Sequence, residues 1–260
     1  MKKIISLWLV CLCCHTSIAQ LTPKSEQKND FTKYYQTEQS VKKRKLTGRL
    51  VPIALITTGV LLSTNDFEQS LQKDLRSSIG NDFNTKIDDY TRYIPVLQMY
   101  TADILGVKAQ NHWFDQTKIL ILSSLLSNGT STLLKKEIYK KRPGDYAENS
   151  THANSFPSGH TTTAFTTASV LYEEFKDTSP ALAYSGYAFA VMTGALRMMN
   201  NAHYLSDVLV GAGIGILATK VVYHFEYLFD WNPFKNLKGV AFAPQYNDSY
   251  GLGFYFTKVF

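Results

Sequence analysis

Cysteine is scarce in this sequence, and its placement excludes a structural role in an exported form of the protein. The 260 residues contain three cysteines, all within positions 11–14. They lie in a stretch with a charged start, an apolar middle and small residues up to Ala19, which are the three parts of a secretory signal. We therefore expect residues 1–19 to be a signal peptide, and the mature chain to have no thiol and no disulfide.

A strong charge of one sign is also lacking. The net charge is +6 at pH 7, and it falls by two, to +4, when Lys2 and Lys3 leave with the signal. A mildly basic chain is compatible with anionic lipid or phosphate substrates, and it indicates no nucleic-acid partner. Residues 20–48 form a polar arm without periodicity. Its basic run at 42–45 could hold an anionic membrane surface, although a solvated charge cluster is the commoner explanation.

Long apolar runs are missing as well. Residues 50–63 form an apolar segment of fourteen residues, fewer than the roughly 20 that a transmembrane helix needs. Residues 208–219 are apolar, but Lys220, His224 and Glu226 interrupt the continuation of that segment. We expect an exported protein on the periplasmic side of the cell envelope, with helices partly embedded in lipid or lying at its surface. A wholly soluble periplasmic enzyme is the alternative.

The chain has no composition break that marks a second globular domain. With 45% hydrophobic residues it can bury one sizeable core, which we place in a helical domain over residues 49–235. The tail over residues 236–260 changes character, because segments 240–243 and 250–256 read as two strands separated by turn-forming residues. Two strands cannot close a barrel, so we expect this short β-hairpin to pack its apolar face on the helices.

Three short patches of polar residues stand out against this background. The first contains Lys135 and, after six intervening residues, Arg142 followed by Pro143. Two helical turns would place both cations on one side, and Pro143 tends to end the helix at Arg142, where the guanidinium can bend over a pocket. The alternative is a solvated basic helix end, since Lys and Arg in a last turn also complement the helix dipole.

The second patch is the segment 157–160, a turn that runs into a segment of helical periodicity. The small residues Ser158 and Gly159 let a phosphate approach the backbone, and a helix start offers free N–H groups. His160, in the first turn, could donate a proton to a leaving oxygen, because its ordinary pKa lies near neutrality. The alternative is a serine cap followed by an incidental histidine.

The third patch contains Arg197, His203 and Asp207. The spacing of four residues between His203 and Asp207 would put the carboxylate beside the imidazole on a helix. A carboxylate on one ring nitrogen leaves the other nitrogen as a lone pair for attack on phosphorus. Taken alone, such a pair is more often a surface contact worth a few tenths of a kcal/mol.

The predicted helices bring these patches together. Residues 161–176 and 180–196 read as helices joined by a three-residue connector, so they should be antiparallel neighbours. The chain then returns to the level of the second patch where the third begins. The apolar run 119–134 ends at Lys135 and can deliver the first patch to the same place. We therefore expect four helix ends to converge on one site.

In order, spacing and residue type, the patches resemble the type 2 phosphatidic acid phosphatase superfamily, which includes class A bacterial acid phosphatases and vanadium-dependent haloperoxidases. The resemblance covers residues 117–228 and implies an all-α helical bundle without a metal or other cofactor. It implies that His203 is the nucleophile, His160 the general acid and Asp207 the group that orients His203. It also implies phosphate binding by Lys135, Arg142, Ser158, Gly159 and Arg197. Leu196 and Ala202 depart from the usual Ser and Gly, which leaves substrate choice open.

The expected function is metal-independent removal of phosphate from a lipid-linked phosphate or diphosphate through a phosphohistidine. Phosphatidic acid, phosphatidylglycerol phosphate, undecaprenyl diphosphate and lipid A are all candidate substrates, and the membrane surface is the expected partner. The alternatives are a soluble non-specific acid phosphatase, a vanadate-dependent haloperoxidase and a non-enzymatic lipid-binding protein. His112, His152 and His224 receive no role, and the oligomeric state stays open.

Overall fold

The computed structural model describes residues 48–144 and 154–234, together with the backbone of two strands at 240–247 and 251–258. These residues belong to one compact unit, Val41–Phe260. The expected signal peptide and most of the basic arm lie outside the described residues, as does His152.

Most of the described chain before the tail is helical, as the sequence predicts. A short 3₁₀ helix, Glu226–Phe229, follows the last α-helix. The α-helices are α1 (Leu50–Leu62), α2 (Asp66–Ile79), α3 (Ile87–Thr91), α4 (Ile94–Ile104), α5 (Trp113–Glu137), α6 (Gly159–Phe175), α7 (Pro180–Met199) and α8 (Leu205–His224).

Local sequence explains where several of these helices begin. The side chain of Asn65 accepts a hydrogen bond from the Phe67 N–H at 2.9 Å and caps α2. Pro180 occupies the first turn of α7, where its missing N–H leaves no helical hydrogen bond unmade. The predicted helices at 161–176 and 180–196 are confirmed as α6 and α7, and these two helices pack against each other.

Helix α8 lies in the middle of the bundle and packs against α1, α5 and α6. Glycine allows the close approach on two of its sides. A Cβ at Gly211 would lie 2.7 Å from the Ser158 carbonyl oxygen, and one at Gly213 would lie 2.7 Å from the Pro52 carbonyl oxygen. Both distances are shorter than a van der Waals contact, so α8 sits against α6 and α1 at a spacing that only glycine permits at these positions.

The interface between α5 and α6 is built from small polar residues. Ser123, Ser127 and Ser131 of α5 are buried. Thr166 donates a hydrogen bond to Ser127 Oγ at 2.8 Å, and Thr163 donates one to Asn128 Oδ1 at 3.0 Å. A separate apolar cluster lies towards the other end of α6, around Leu171 and Phe175. The bundle is therefore held at one end by hydroxyl groups and close packing rather than by large apolar side chains.

Large apolar side chains, in contrast, are exposed on the outside of the bundle. Leu97 is 68% exposed, Ile104 85% and Leu125 66%. Within the described ranges, α8 is the one single helix long and apolar enough to cross a membrane, and α1 and α2, which meet at 91°, pass the same test as a bent pair. Since 67% of the apolar window of α8 is buried inside the protein, length and composition alone are weak evidence for a span.

The helix that carries the first patch ends earlier than the sequence predicts. It stops at Glu137 rather than at Arg142. The Asn154 side chain donates hydrogen bonds to the carbonyl oxygens of Lys135 and Ile138 at 2.6 and 2.7 Å, and Lys141 pairs with Asn154 in an antiparallel bridge. The prediction based on Pro143 was wrong, because a residue from the next segment caps the helix first.

The tail contains two antiparallel strands, β1 (Val240–Asn247) and β2 (Gly251–Lys258). Val240 lies opposite Lys258, and Asn247 lies opposite Gly251. Their packing on the helices stays a prediction, because only the backbone pairing of this tail is described.

Candidate active site

Lys135 lies in the last turn of α5 and points towards the segment before α6. Its Nζ donates to the carbonyl oxygens of Asn154 and Ser155 at 3.1 and 3.3 Å. Burial lowers the pKa of Lys135 to about 8, and the neighbouring Arg142 adds to the shift. The ammonium is still mostly charged at pH 7, so Lys135 supplies a positive charge while tying the end of α5 to the segment that leads into α6.

Arg142 reaches the site from an extended segment beyond α5. Its Nη1 donates a hydrogen bond to the Ala202 carbonyl oxygen at 3.2 Å, directly before His203 in the chain. The first patch therefore delivers both of its cations to one place, as predicted, although the two do not share a helix.

The start of α6 provides the second patch. Ser158 is fully buried, and its Oγ lies 3.4 Å from the Thr161 N–H that it caps. The Ser158 N–H donates to the Asp207 carbonyl oxygen at 3.1 Å, which joins the starts of α6 and α8. A Cβ at Gly159 would meet no atom within 4 Å, so the first turn of α6 is open to an approaching anion.

His203 and Asp207 lie together in the interior of the protein. His203 Nδ1 is 3.6 Å from Asp207 Oδ2, which is longer than a hydrogen bond, and both side chains are almost completely buried. The proximity of the two side chains agrees with the prediction. The two residues do not, however, lie on one helix as predicted. His203 precedes α8, which starts at Leu205, and Asp207 caps that start by accepting a hydrogen bond from the Tyr204 N–H at 2.9 Å.

Burial decides the protonation state of His203. It lowers the pKa of the imidazole to about 3, with Asp207 opposing the shift and the guanidinium groups of Arg142 and Arg197 reinforcing it. The ring is therefore neutral over the working pH range. With Nδ1 turned to Asp207, the nitrogen left for a nucleophilic role is Nε2.

Arg197, in the last turn of α7, is held by a carboxylate that sequence reasoning missed. Its Nη1 lies 2.6 Å from Oδ2 of Asp88, a residue of α3 that is 1% exposed. The Asn200 side chain donates to the other oxygen of Asp88 at 3.1 Å. Asp88 thus fixes the guanidinium at the end of α7.

His160, the second residue of α6, has a partner of the same kind. Its Nε2 lies 2.7 Å from Oδ1 of Asp89, whose side chain is half-exposed. Burial lowers the pKa of His160 below its ordinary value, while the hydrogen bond to Asp89 opposes the shift. The pair Asp88–Asp89 gave no signal in the sequence, because no spacing rule links it to residues about seventy to one hundred positions further on.

Lys140 and Glu68 were missed for the same reason. Lys140 Nζ lies 3.1 Å from Asp207 Oδ1 and 2.6 Å from Glu68 Oε1, so the orienting carboxylate has a charged neighbour on the side away from His203. Glu68 belongs to α2, far from all three patches in the chain.

Among the described residues, one group of three side chains could hold a metal ion. It consists of Asp88, Asp89 and His160, whose ligand atoms lie within 4.8 Å of one another. Its carboxylates are already engaged, Asp88 by Arg197 and Asp89 by His160. A cation here would compete with groups that are expected to hold phosphate and to protonate the leaving group.

An open polar cavity of about 400 Å³ adjoins the site. Arg76 and Asn200 fasten the loop between α2 and α3, which forms one wall: Arg76 donates to the Phe83 carbonyl oxygen at 2.9 Å, and Asn200 accepts from the Thr85 N–H at 2.9 Å. The polar side chains that line the cavity include Asn81, Asp82, Asn84, Lys86, Asp89 and Arg197.

The fold and the site define a class of protein: a helical bundle in which helix ends gather three cations, two histidines and a buried carboxylate around an opening for an oxyanion. The family model of the PAP2 superfamily matches residues 116–231. This region holds all eight predicted site residues, and its match to the PAP2 superfamily confirms the predicted resemblance.

Two curated proteins are similar to this chain. The chain is 33% identical over 162 residues to a lipid A 1-phosphatase of Porphyromonas gingivalis, covering 62% of this chain and 35% of the relative. It is 34% identical over 117 residues to a lipid A 1-phosphatase of Rhizobium etli, covering 40% of this chain and 47% of the relative. The chain thus spans between about a third and a half of the length of these relatives.

One solved structure with a similar arrangement is the transmembrane PAP2-type phosphatidylglycerolphosphate phosphatase of Bacillus subtilis. It has a TM-score of 0.46 and 19% identity, covering 71% of this chain and 98% of that one.

Proposed function

We propose that this protein is a metal-independent lipid phosphatase that works through a phosphohistidine at the cell envelope. The observation that carries the proposal is the neutral, buried His203, with Asp207 at one ring nitrogen and Arg142 and Arg197 close enough to depress its pKa. A neutral imidazole backed by a carboxylate and surrounded by fixed cations is suited to attack on a phosphate ester.

The residues divide the reaction between them. Nε2 of His203 attacks phosphorus as the bond from phosphorus to the leaving oxygen breaks, and protonated His160 gives its proton to that oxygen. A water molecule then cleaves the phosphorus–nitrogen bond, releasing inorganic phosphate, while His160 takes up a proton from the water. Lys135, Arg142 and Arg197 stabilise the charge on the transferring group throughout. The leaving oxygen must displace Asp89 from His160, which its half-exposed position allows.

The substrate that we favour is a phosphorylated saccharide lipid of the lipid A class. The named relatives are lipid A 1-phosphatases. The cavity beside Arg197 supports the same choice, because amide, carboxylate and ammonium side chains suit the hydroxyl groups of a sugar better than they suit an acyl chain.

Association with the membrane is part of the proposal. Leucine and isoleucine side chains face outwards, and serine and threonine hydroxyls hold α5 to α6 inside. Small polar residues between helices with apolar side chains outside are typical of helices packed in lipid. This arrangement favours a lipid substrate over the soluble acid phosphatase. Placement on the periplasmic side rests on the expected signal peptide.

Phosphate release by the purified chain in detergent, with EDTA present, tests the proposed function. The panel is lipid A, phosphatidic acid, phosphatidylglycerol phosphate, undecaprenyl diphosphate and p-nitrophenyl phosphate, and the His203→Ala variant is the control. We expect release from lipid A to be fastest and the control to be inactive. Equal rates on the soluble ester would favour the acid phosphatase, and halide oxidation that appears only after loading with vanadate would favour the haloperoxidase.

The saccharide preference has its own test in the cavity wall. Asn84→Leu places an apolar side chain where a sugar hydroxyl would bind, so KM for lipid A should rise while KM for phosphatidic acid stays near the wild-type value. An equal change in KM for both substrates would mean that the cavity does not bind the saccharide of lipid A.

A further inference from the structure

A buried group of charged and polar side chains lies behind the orienting carboxylate, on the side away from His203. Lys140 Nζ contacts Asp207 Oδ1 at 3.1 Å, Glu68 Oε1 at 2.6 Å and Ser206 Oγ at 2.6 Å. Ser206 in turn donates to Glu68 Oε2 at 2.5 Å. The side chain of Lys140 is 16% exposed, that of Glu68 4% and that of Asp207 0%, so this cluster is shielded from water.

The cluster joins elements that are distant in the chain. Glu68 comes from the first turn of α2, outside the region that the PAP2 family model matches. Lys140 comes from the extended segment after α5, and Asp207 comes from the first turn of α8. Because a buried charge without a partner is unfavourable, these three groups stabilise one another in the interior.

The geometry assigns each carboxylate oxygen of Asp207 to a different partner. Oδ1 faces Lys140, whereas Oδ2 accepts from the Tyr204 N–H and faces His203 Nδ1. The lysine therefore prevents the carboxylate from rotating away from His203. It also balances the negative charge that would otherwise draw a proton onto the imidazole.

We propose that Lys140 and Glu68 are positioning residues for His203, acting through Asp207, and that α2 thereby contributes to phosphoryl transfer. The inference rests on the proposed function of the same site.

The charged groups around the pair determine the direction of the expected pH effect. Asp207 faces Lys140 and His203, with Lys135 nearby, and His203 is further influenced by Arg142 and Arg197. Lys140→Met removes one positive charge and leaves Glu68 unbalanced, so the surroundings of His203 become more negative. A more negative environment favours the protonated imidazole, and the acid limb of kcat/KM should move to higher pH.

Adding Glu68→Gln to Lys140→Met restores the balance of charge, because one positive and one negative charge are then missing together. The acid limb of the double variant should return towards that of the wild type, even though two buried residues have changed. If Lys140 and Glu68 had only a structural role, the double variant would be more impaired than Lys140→Met, since the second substitution would add to the damage of the first.

The test measures kcat, KM and the pH profile of phosphate release for the wild type, Lys140→Met, the double variant and a matched control. Glu173→Gln is the control, because Glu173 also forms a partly buried ion pair, with Lys220 at 3.3 Å, about 20 Å along α6 from His160. For Lys140→Met we expect kcat to fall about 10- to 100-fold, with KM near the wild-type value. A loss of this size is typical when a residue that orients another functional side chain is replaced. The Glu173→Gln control should have the kcat and the acid limb of the wild type.

Each outcome decides between the two proposals. The positioning role would be overturned if the wild type releases phosphate and Lys140→Met keeps both the kcat and the acid limb of the wild type. A wild type inactive on every phosphate would instead overturn the proposed function. If Lys140→Met does not fold, the double variant carries the test. A wild-type kcat in that variant would contradict the inference, and so would an acid limb displaced from that of the wild type; a lowered kcat with unchanged KM and an acid limb near that of the wild type would support it.

Discussion

At the scale of single residues, Asp207 has two tasks, and the second depends on its negative charge. It caps α8 through the Tyr204 N–H and faces the His203 ring. Asp207→Asn nearly preserves the shape but removes the charge that stabilises a cationic imidazole and favours its tautomer. We expect kcat to fall by several orders of magnitude, about 10⁴-fold in the analogous change in a serine protease.

The inhibition constant for vanadate separates this effect from loss of binding. Vanadate mimics the transferring phosphoryl group, and in the proposed mechanism Lys135, Arg142 and Arg197 would hold it, so its affinity should change little in Asp207→Asn. A near-normal kcat would show that Asp207 only caps the helix.

The pH dependence should depend on His160 and its partner Asp89. His160 must carry a proton to act as an acid, and its pKa is lowered by burial, so activity should fall as pH rises through a value below 6.5. Asp89 stabilises the protonated ring. Asp89→Asn should therefore lower the pKa of His160 further and move the alkaline limb of kcat/KM to lower pH.

Asp74→Asn is a suitable control for that measurement, because it removes an exposed carboxylate of α2 outside the site. If the alkaline limb of kcat/KM lies at the same pH in Asp89→Asn as in the wild type, a group other than His160 determines that limb.

The candidate site residues could be named from the sequence because each patch is short. Spacing within eleven residues or fewer identified Lys135 with Arg142, and Arg197 with His203 and Asp207, and the structure brings these patches together. Asp88, Asp89 and Glu68 were not found, because they approach the site only through the packing of α2 and α3. No local pattern in the sequence carries that information.

At the scale of helices, the contact between α6 and α8 determines where the first turn of α6 lies. Gly211→Ala would drive a methyl group to 2.7 Å from the Ser158 carbonyl oxygen, so the start of α6 must shift. Overpacking of this kind typically costs about 1–3 kcal/mol. We expect a lower Tm together with a loss of kcat larger than the loss of stability explains.

Gly129→Ala is the matched control, since a Cβ at this exposed position in α5 would meet nothing within 4 Å. It should be neutral or slightly stabilising, because alanine is the better helix former. If Gly211→Ala proved as mild as the control, the close approach of α8 to α6 would not be what positions Ser158.

The helices also show where sequence reasoning stops. Periodicity and the three-residue connector predicted α6 and α7 almost to the residue. The end of α5 was misjudged because Asn154, from the next segment, caps it through a contact that depends on the tertiary fold. The start of α8 was misjudged although its cap is local, since Asp207 accepts from the N–H of Tyr204 three residues earlier.

At the scale of the whole molecule, independence from metal would distinguish the proposed mechanism from that of metal-assisted phosphatases. In the proposed mechanism the fixed cations Lys135, Arg142 and Arg197 take the place of a metal ion, so EDTA should leave phosphate release unchanged. Activity that is lost on chelation and restored by magnesium or zinc would redirect attention to Asp88, Asp89 and His160 as metal ligands.

The outward-facing leucines and the hydroxyl-lined contact between α5 and α6 have a thermodynamic consequence. The heat capacity of unfolding in water-soluble proteins, about 12–15 cal/mol/K per residue, comes mainly from apolar surface that becomes hydrated when the chain opens. In this protein part of that surface is already on the outside, where the proposed association with the membrane would cover it with lipid. Its stability should therefore vary less steeply with temperature than that of a soluble domain of equal length.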